Sequence, residues 1–538
     1  MPGSHLFKSG LYQKNFLSTS KVTGPAINMG CTRGRGSTTR MFNYCNERSG
    51  NPSSCINQFI TLQSSGSSST IPSAPTITSI TPSSTQLVVN FTTPSNDGGS
   101  PITNYKYSTN NGLTFFSAGT TSSPITISGL NPNTGYQVVI RAVNVIGDGA
   151  ISSPISATTT TPVWSALLSG LAGGTGNELI IDSINNVYVG GNFTSANSVP
   201  NTNRIAKWNG TTWSSLAGGI SGTGATSCSA VNVDSLNNLY AGGIFNTLVN
   251  NSGTITANRI AKWNGTSWSA LIDPVTGING LQTSSSCNTI GIDSLNNVYA
   301  GGTFTTLGNN STPANRIAKW NPTTSTWSPL IDSSTSVNGL GSICNAIVCD
   351  SANNVYAGGI FTTLGDGLTP ANRIAKWNPT TSTWSPLIES STSVNGVNSN
   401  VSALGIDSLG NIYVAGGFTT AGSIPANRIA KWNPNTSTWS ALIDSLTGVN
   451  GLNNNNVLGL VIDSTDNVYV TGTFGSAGGV SSSSAIAKWN PNTSKWTALG
   501  TGITNGSGVD IDSNGNVYVC GNFSSAGGIP ANNIAKYG

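Results

Sequence analysis

Charge is what this chain most lacks. Of 538 residues, 7% are Asp, Glu, Lys or Arg, against roughly 25% in ordinary soluble domains. Ser, Thr, Asn and 65 glycines take their place, so hydroxyls and amides do the solvating. That balance fits β-rich proteins of cell or particle surfaces better than cytosolic enzymes. Histidine is nearly missing as well. The one copy is His5, which leaves the rest of the chain without an imidazole base, a His-ligated metal or a Ser-His triad. Eight cysteines are too few for a disulfide framework in a chain this long; Cys31, Cys45 and Cys55 either pair or stay as thiols. No run of about 18 apolar residues occurs, so no membrane span is expected. The stretch MPGSHLFKSGLYQKNFLSTSKV has no apolar core of signal-peptide length, which points to a non-classical route outward or to assembly into a particle inside a cell. Sequons such as Asn192-Phe193-Thr194 read as accidents of an Asn/Thr-rich chain.

What charge there is falls unevenly. Residues 1–63 carry seven basic side chains, Lys8, Lys14, Lys21, Arg33, Arg35, Arg40 and Arg48, against one acid, Glu47. From 163 onward there are 13 basic and 15 acidic residues, so only the first segment is electrostatically sticky. Two linkers divide the chain: a Ser-rich stretch at 64–71 and a shorter Thr/Pro stretch at Thr158–Pro162. The expected organisation is a basic tail (1–63), a module of strand-like alternation (72–160) and a repeat region (163–538).

The repeat is read from two strings. Asp-Ser followed by Asn-(Val/Ile/Leu)-Tyr recurs at Asp182, Asp234, Asp293, Asp350, Asp407, Asp463 and Asp512, with spacings of 52, 59, 57, 57, 56 and 49 residues. Ile-Ala-Lys-Trp starts at Ile205, Ile260, Ile317, Ile374, Ile429 and Ile486, and a seventh copy at Ile534 ends in Tyr537. Each unit supplies four short strands, the signature of propeller blades. The seventh unit lacks its fourth strand, and the missing strand stands at the other end as Val163-Trp164-Ser165-Ala166-Leu167. A ring closes by pairing those ends, whereas a solenoid would need polar caps instead. The expected fold is therefore all-β, with a seven-bladed β-propeller closed by 163–168 against 533–538 and a mostly irregular tail.

Two resemblances sharpen this. The stretch GLNPNTGYQVVIRAVNVIGDG resembles the fibronectin type III family through Leu130, Pro132, Thr134, Tyr136, Val138, Ile140, Ala142, Asn144 and Gly147. The resemblance implies a β-sandwich with Tyr136 as its tyrosine corner, acting as a spacer or binding module without chemistry of its own. Phe91 stands where that family usually has Trp, and no Arg-Gly-Asp tripeptide is present. The Asp-Ser-x-x-Asn-Val-Tyr-Val and Ile-Ala-Lys-Trp-Asn-Gly-Thr-Thr-Trp elements are similar to propeller repeats of bacterial and giant-virus surface proteins and of fungal cell-polarity markers. That likeness implies a fold and says little of function.

The conspicuous side chains have plain structural readings beside sharper ones. The Asp-Ser units read as hairpin turns rather than calcium loops, because no glutamate completes them. The paired tryptophans read as packing wedges rather than sugar or base platforms. The ladder Lys207, Lys262, Lys319, Lys376, Lys431, Lys488 and Lys536, with Arg204, Arg259, Arg316, Arg373 and Arg428, reads as paired with the similar number of acids rather than as an anion site. Cys228, Cys287 and Cys344 share one inner-strand position that Val401 and Val457 fill in the next blades, so they read as small hydrophobes rather than metal ligands. Asp510 is the one evident candidate for a carboxylate-lined channel.

Tight turns of fixed chemistry close one face of the ring, and long loops open on the other. Function more often sits on variable loops held by a rigid frame. Asn251, Thr256, Asn258, Asn279, Asn338 and Asn395 are accordingly the candidate binding residues for a protein or glycan. In the tail, Arg33, Arg35, Arg40, Phe42 and Tyr44 are the candidates for docking to a larger assembly such as a capsid or fibre; a disordered arm or a nucleic-acid or other polyanion contact are the alternatives. The expectation is a non-enzymatic display, adhesion or virion structural protein with no cofactor and no metal. It would sit on a virion, at a cell surface or outside the cell. A cytoplasmic interaction scaffold and a carboxylate-dependent lyase or hydrolase are the competing readings.

Overall fold

The computed structural model describes residues 38–44, 56–62, 69–220, 225–250, 253–453, 455–481 and 483–538, the first two segments as backbone strands only. Strands and turns account for all regular structure among these residues. Within the segment expected to be mostly irregular, Thr38–Tyr44 and Ile56–Leu62 pair antiparallel. Both are rich in the β-branched and aromatic residues that favour a pleated strand.

The module after the Ser-rich stretch is a two-sheet sandwich. Thr76–Pro82, Leu87–Thr92 and Ile125–Ile127 form one sheet; Ile155–Thr158, Gly135–Asn144, Asn104–Ser108 and Phe116–Ser117, with Gly147–Asp148 on the flank, form the other. Alternating residues from both meet in a core of Ile77, Leu87, Val89, Phe91, Tyr105, Ile125, Val138 and Ile140. Phe91 packs against Tyr105 with centroids 4.6 Å apart, so a phenyl ring suffices there. The Asn131 N–H donates to the Tyr136 hydroxyl at 2.9 Å, which ties the preceding loop to the strand as a tyrosine corner does.

The remainder is a ring of seven four-stranded antiparallel sheets. Their innermost strands are Gly176–Ile181, Ser227–Val233, Cys287–Ile292, Cys344–Cys349, Val401–Ile406, Val457–Ile462 and Gly506–Ile511. Each touches the next, and the seventh touches the first. Closure comes from the outermost strand of blade seven, Trp164–Ala166, which pairs with Ile534–Tyr537 in the register Trp164 to Tyr537, Ser165 to Lys536 and Ala166 to Ala535. A seven-bladed propeller thus leaves no open sheet edge between its chain ends.

Each blade-to-blade junction is a separate core. Strand two is Val-Tyr-Val/Ala-Gly-Gly or close to it, fully buried on both faces. The strand-three and strand-four tryptophans meet at a tilt of 51–54° with centroids 5.0–5.5 Å apart, and Trp164 meets Tyr537 at 5.2 Å. In six blades the strand-four indole N–H reaches back to the preceding blade, as Trp213 does to Leu167 O (3.0 Å), Trp268 to Leu216 O (3.0 Å) and Trp327 to Leu271 O (2.9 Å); Trp439 Nε1 has no such partner. A buried indole whose one donor is satisfied across a junction is a wedge, as the sequence pattern implied.

Candidate functional site

Turn chemistry uses up most of the conspicuous residues. In blade one, Asp182 Oδ1 accepts from the N–H groups of Ile184 (3.1 Å) and Asn186 (2.8 Å), and Oδ2 accepts from the Asn186 amide (2.7 Å). The same set recurs in the other six turns, for example at Asp293 and Asp512. The third residue after each aspartate is left-handed, φ 61–65° at Asn185, Asn237, Asn296 and Asn353, a conformation asparagine tolerates. Those asparagines latch the turns together. Asn237 Oδ1 accepts from Ser183 N–H (3.2 Å) while its amide donates to Ser183 Oγ (2.7 Å), and Asn185 does the same with Ser513. Two turns carry glycine at this position, Gly410 and Gly515.

The lysine ladder departs from its expected pairing with acids. Each ammonium lies 5.2–5.9 Å from the ring centroid of the strand-two tyrosine directly opposite, as Lys207 does over Tyr188 and Lys488 over Tyr469. Among the described residues only Lys431, 3.5 Å from Asp407, makes a salt bridge within the ring. The turn aspartates are already saturated by N–H donors, so the cation takes the π-face instead. The arginines are structural too. Arg204, Arg316, Arg373 and Arg428 donate Nη1 to the backbone carbonyls of Ile220, Thr303, Ile360 and Gly417. The thiols of Cys228, Cys287 and Cys344 fill space beside a glycine of the preceding blade: a Cβ on Gly190, Gly242 or Gly301 would lie 2.6–2.7 Å from the sulfur. Val401 fits against Gly358 in the same way.

The long-loop face is more regular than its loop lengths imply. Leu271–Leu281, Leu330–Leu340, Leu387–Val397 and Leu442–Leu452 follow one pattern, Leu-Ile-(Asp/Glu), a turn, then Asn-Gly. The acid is buried. Asp332 Oδ1 accepts from the N–H groups of Ser334 and Thr335, and Oδ2 accepts from Trp384 N–H in the next blade at 2.7 Å. Burial would raise its carboxyl, but the Ser334 hydroxyl and these N–H groups outweigh it and hold it at about 2.

This regularity redefines the six loop residues expected to bind. Asn279, Asn338 and Asn395 are the repeated Asn of that pattern, and their amides donate to Thr256 O, Pro313 O and Pro370 O at 2.9–3.0 Å. Asn258 is buried, with its amide on Asn279 O at 3.0 Å. They are staples between neighbouring loops. Thr256 is exposed, and Asn251 lies outside the described residues. In the tail, Arg40, Phe42 and Tyr44 lie on Thr38–Tyr44, while Arg33 and Arg35 lie outside the described residues.

The structure does converge polar groups at the axis. In all seven blades the inner strand shifts register against strand two at one point. The unpaired residue of this β-bulge is Asn177, Ser229, Asn288, Asn345, Ser402, Leu458 or Ser507. All seven line a channel mouth of about 170 Å3, because a bulge re-aims one side chain out of the ladder. The bulge lies at the end of the strand that follows the long loop, so this mouth opens on the long-loop face. Below it lie Leu179, Ile347, Leu404, Leu460 and Val509.

One carboxyl joins the ring. Glu178 Oε2 accepts from Val231 N–H at 2.9 Å. Burial pushes its carboxyl up to about 8; the Val231 N–H opposes this and the charge of Asp510 adds to it. Asp510 accepts from Ile181 N–H (2.8 Å) and Ile511 N–H (2.9 Å), and burial pushes it up to about 7. The sequence offered Asp510 as the channel acid, but it is not among the residues that line the mouth; Glu178 is, and it was missed. The signal was present, since the equivalent positions in the other blades hold Ala, Thr or Gly.

The sandwich touches the opposite, tight-turn face. Thr85 Oγ1 donates to Asn514 O (2.8 Å) and the Gln86 amide to Ser513 O (3.2 Å). The contact falls at Gly515, where a Cβ would lie 2.9 Å from Thr85 Oγ1.

Residues 71–158 match the family model of the fibronectin type III domain. No curated protein matches the chain. Among solved structures, the chain is similar to the extracellular domain of a putative one component system from B. thetaiotaomicron, at 10% identity and a TM-score of 0.42, over 69% of this chain and 39% of that one. It therefore spans well under half of that relative. It is also similar to PorZ, a surface component of the type-IX secretion system of Porphyromonas gingivalis (10% identity, TM-score 0.34, 90% of this chain and 60% of that one). Virginiamycin B lyase from Staphylococcus aureus is a third (10% identity, TM-score 0.42, 70% and 98%). Likenesses at this level say nothing of activity. No helix among the described residues is long and apolar enough to cross a membrane.

Proposed function

We propose that this chain is a non-enzymatic surface-display or adhesion protein, of a virion or a cell surface, whose propeller presents its long-loop face to a protein or glycan. The observation that carries the reading is the position of the fibronectin type III module. Thr85 and Gln86 hold it on the tight-turn face at Ser513 and Asn514, which leaves the long loops and the channel mouth free on the other side. The same turn face exposes Ile184, Leu236, Leu295 and Leu409 at its turn tips, 67–75% open to solvent. These four favour that face as the one turned toward the capsid, fibre or envelope to which residues 1–63 dock.

Against a hydrolase or lyase, Glu178 and Asp510 both already accept backbone N–H bonds, and no charged partner lines the mouth beside Glu178. The deciding measurement is quantitative mass spectrometry of purified particles and surface fractions against cytosol. Enrichment outside the cytosol, lost when residues 1–63 are deleted, is the expected result. A purely cytosolic chain replaces this reading with the interaction scaffold.

A further inference from the structure

The channel mouth has features that the packing of the ring does not require. A blade needs its inner strand paired, and a bulge interrupts that pairing; yet all seven blades keep the bulge at the same point. Six of the seven side chains released by it are small and polar: Asn177, Ser229, Asn288, Asn345, Ser402 and Ser507. Unpartnered polar atoms elsewhere in the ring, such as Thr306 Oγ1, are sealed in the packing, whereas those of the mouth line a cavity. Here, among the described residues, the Asn345 amide N–H groups and the Ser507 hydroxyl have no donor or acceptor from the protein. The hydroxyls and amides are held in place from the side, as in the 2.7 Å bond from Ser286 Oγ to Asn288 Oδ1 and the 3.1 Å bond from Asn400 Nδ2 to Ser402 Oγ.

The chemistry of the mouth selects for a neutral guest. Glu178 is the one ionisable side chain that lines it, and its carboxyl is pushed up to about 8, so at neutral pH it is an acid with an O–H to donate. A cation would find no carboxylate, and an anion no lysine, arginine or histidine; either would leave its charge unpaired in a narrow channel. Size narrows the choice further. The mouth, at about 170 Å3, is smaller than the ~300–1,000 Å3 of drug-sized sites. A polar rim over an apolar floor of Leu179, Leu404 and Leu460 matches a ring with hydroxyls on its edge and C–H groups on its face.

We infer that the mouth of the propeller channel is a binding site for one neutral, polyhydroxylated ring, the terminal sugar of a glycan, held by the hydroxyls and amides of six of the seven bulges and by Glu178. The inference rests on the long-loop face being the binding face, and it names the ligand class for that face.

The test is saturation-transfer NMR and calorimetry of the full chain with D-glucose, D-galactose, D-mannose, L-fucose and N-acetylglucosamine. N-acetylneuraminic acid and spermidine serve as charged controls. At least one neutral sugar binds saturably, with a Kd of about 1 mM or tighter. Ser402→Phe, which fills the mouth, weakens it at least about tenfold, a loss of ~1.4 kcal/mol. Asn345→Leu removes two donors without bulk and weakens it too, which keeps the test decisive if the phenylalanine variant does not fold. Glu178→Gln keeps a neutral donor and binds within about threefold of the original at pH 7, and it loses the weakening that the original shows as its carboxyl ionises above about pH 8. Absence of neutral-sugar binding overturns the inference. So does binding that survives both mouth variants, or binding of a charged control in their place. None of these outcomes bears on where the protein sits, so a blank titration with a particle-bound chain removes the sugar and leaves the display reading intact.

Discussion

Glu178 and Asp510 occupy neighbouring inner strands, each closer to protein than to water. Burial pushes their carboxyls up to about 8 and about 7, from ordinary values of 4.5 and 3.8. The groups around Glu178 are Val231 N–H, Asp510 and the thiols of Cys228, Cys287 and Cys520, none of them a cation. Folding therefore raises proton affinity at both sites. Their share of stability is fully present below about pH 4 and is lost as pH rises through 7 to 8. The unfolding free energy from urea titrations should fall between about pH 5 and pH 9, by on the order of 1–2 kcal/mol after screening by solvent, and the midpoint with it. Glu178→Gln with Asp510→Asn should flatten that fall. A midpoint that rises over the same range would show that the carboxyls are ionised in the folded state.

The glycine and thiol pairs give a second test at this scale. Cys344→Val should change stability by less than about 1.5 kcal/mol, because a valine already serves at 401 against a glycine, Gly358, as Cys344 does against Gly301. Gly301→Ala should cost about 1–3 kcal/mol, since its Cβ would meet Cys344 Sγ at 2.7 Å and Thr289 Cγ2 at 2.7 Å. The thiols were legible as small hydrophobes from their alignment with valine alone. Their glycine partners were not, because each lies a blade away in sequence and marks nothing locally.

At the scale of the element, strands and turns were readable because their signals are local. Asp-Ser-x-x-Asn places a carboxylate within reach of N–H groups two and four residues on, and Ile-Ala-Lys-Trp alternates with period two. The long loops were read as variable because their order is not local. Asp332 looks like any loop acid until its bond to Trp384 N–H, 52 residues away, is seen. For the same reason Asn279, Asn338 and Asn395 read as candidate ligand contacts in the sequence, while in the structure their amides bond backbone carbonyls of neighbouring loops. Asp332→Ala should cost about 2–3 kcal/mol, as a buried charged acceptor is lost and the Trp384 N–H is left bare. Ser333→Ala, one residue away on the exposed side of the turn, should cost less than about 1 kcal/mol by the same denaturation measurement. Equal costs would mean that the loop acid does not bind the blades together.

Over the whole molecule, seven near-identical turns form a ring of latches, interrupted at Gly410, where nothing fills the gap, and at Gly515, where the sandwich sits. Asparagine or aspartate closes the latch with the serine of the preceding blade at five turns, for instance Asn296 to Ser235 and Asp466 to Ser408. Blade seven carries Gly515 instead, and Thr85 and Gln86 occupy the space. Stability of the ring and attachment of the module therefore compete for one position. Gly515→Asn fits the local backbone, at φ +79°, because asparagine enters the left-handed region readily. It should restore a bond to Ser464 and stabilise the propeller by about 0.5–1 kcal/mol. The same side chain displaces Thr85, so the module should swing free. Small-angle scattering should then show a larger, more variable distance between the two bodies, and proteases should cut faster within Thr158–Pro162. Opposite signs in the two measurements are the expected result. A variant that loosens both the ring and the module would mean that Gly515 serves the turn itself, and that the seat of the fibronectin type III module is set elsewhere.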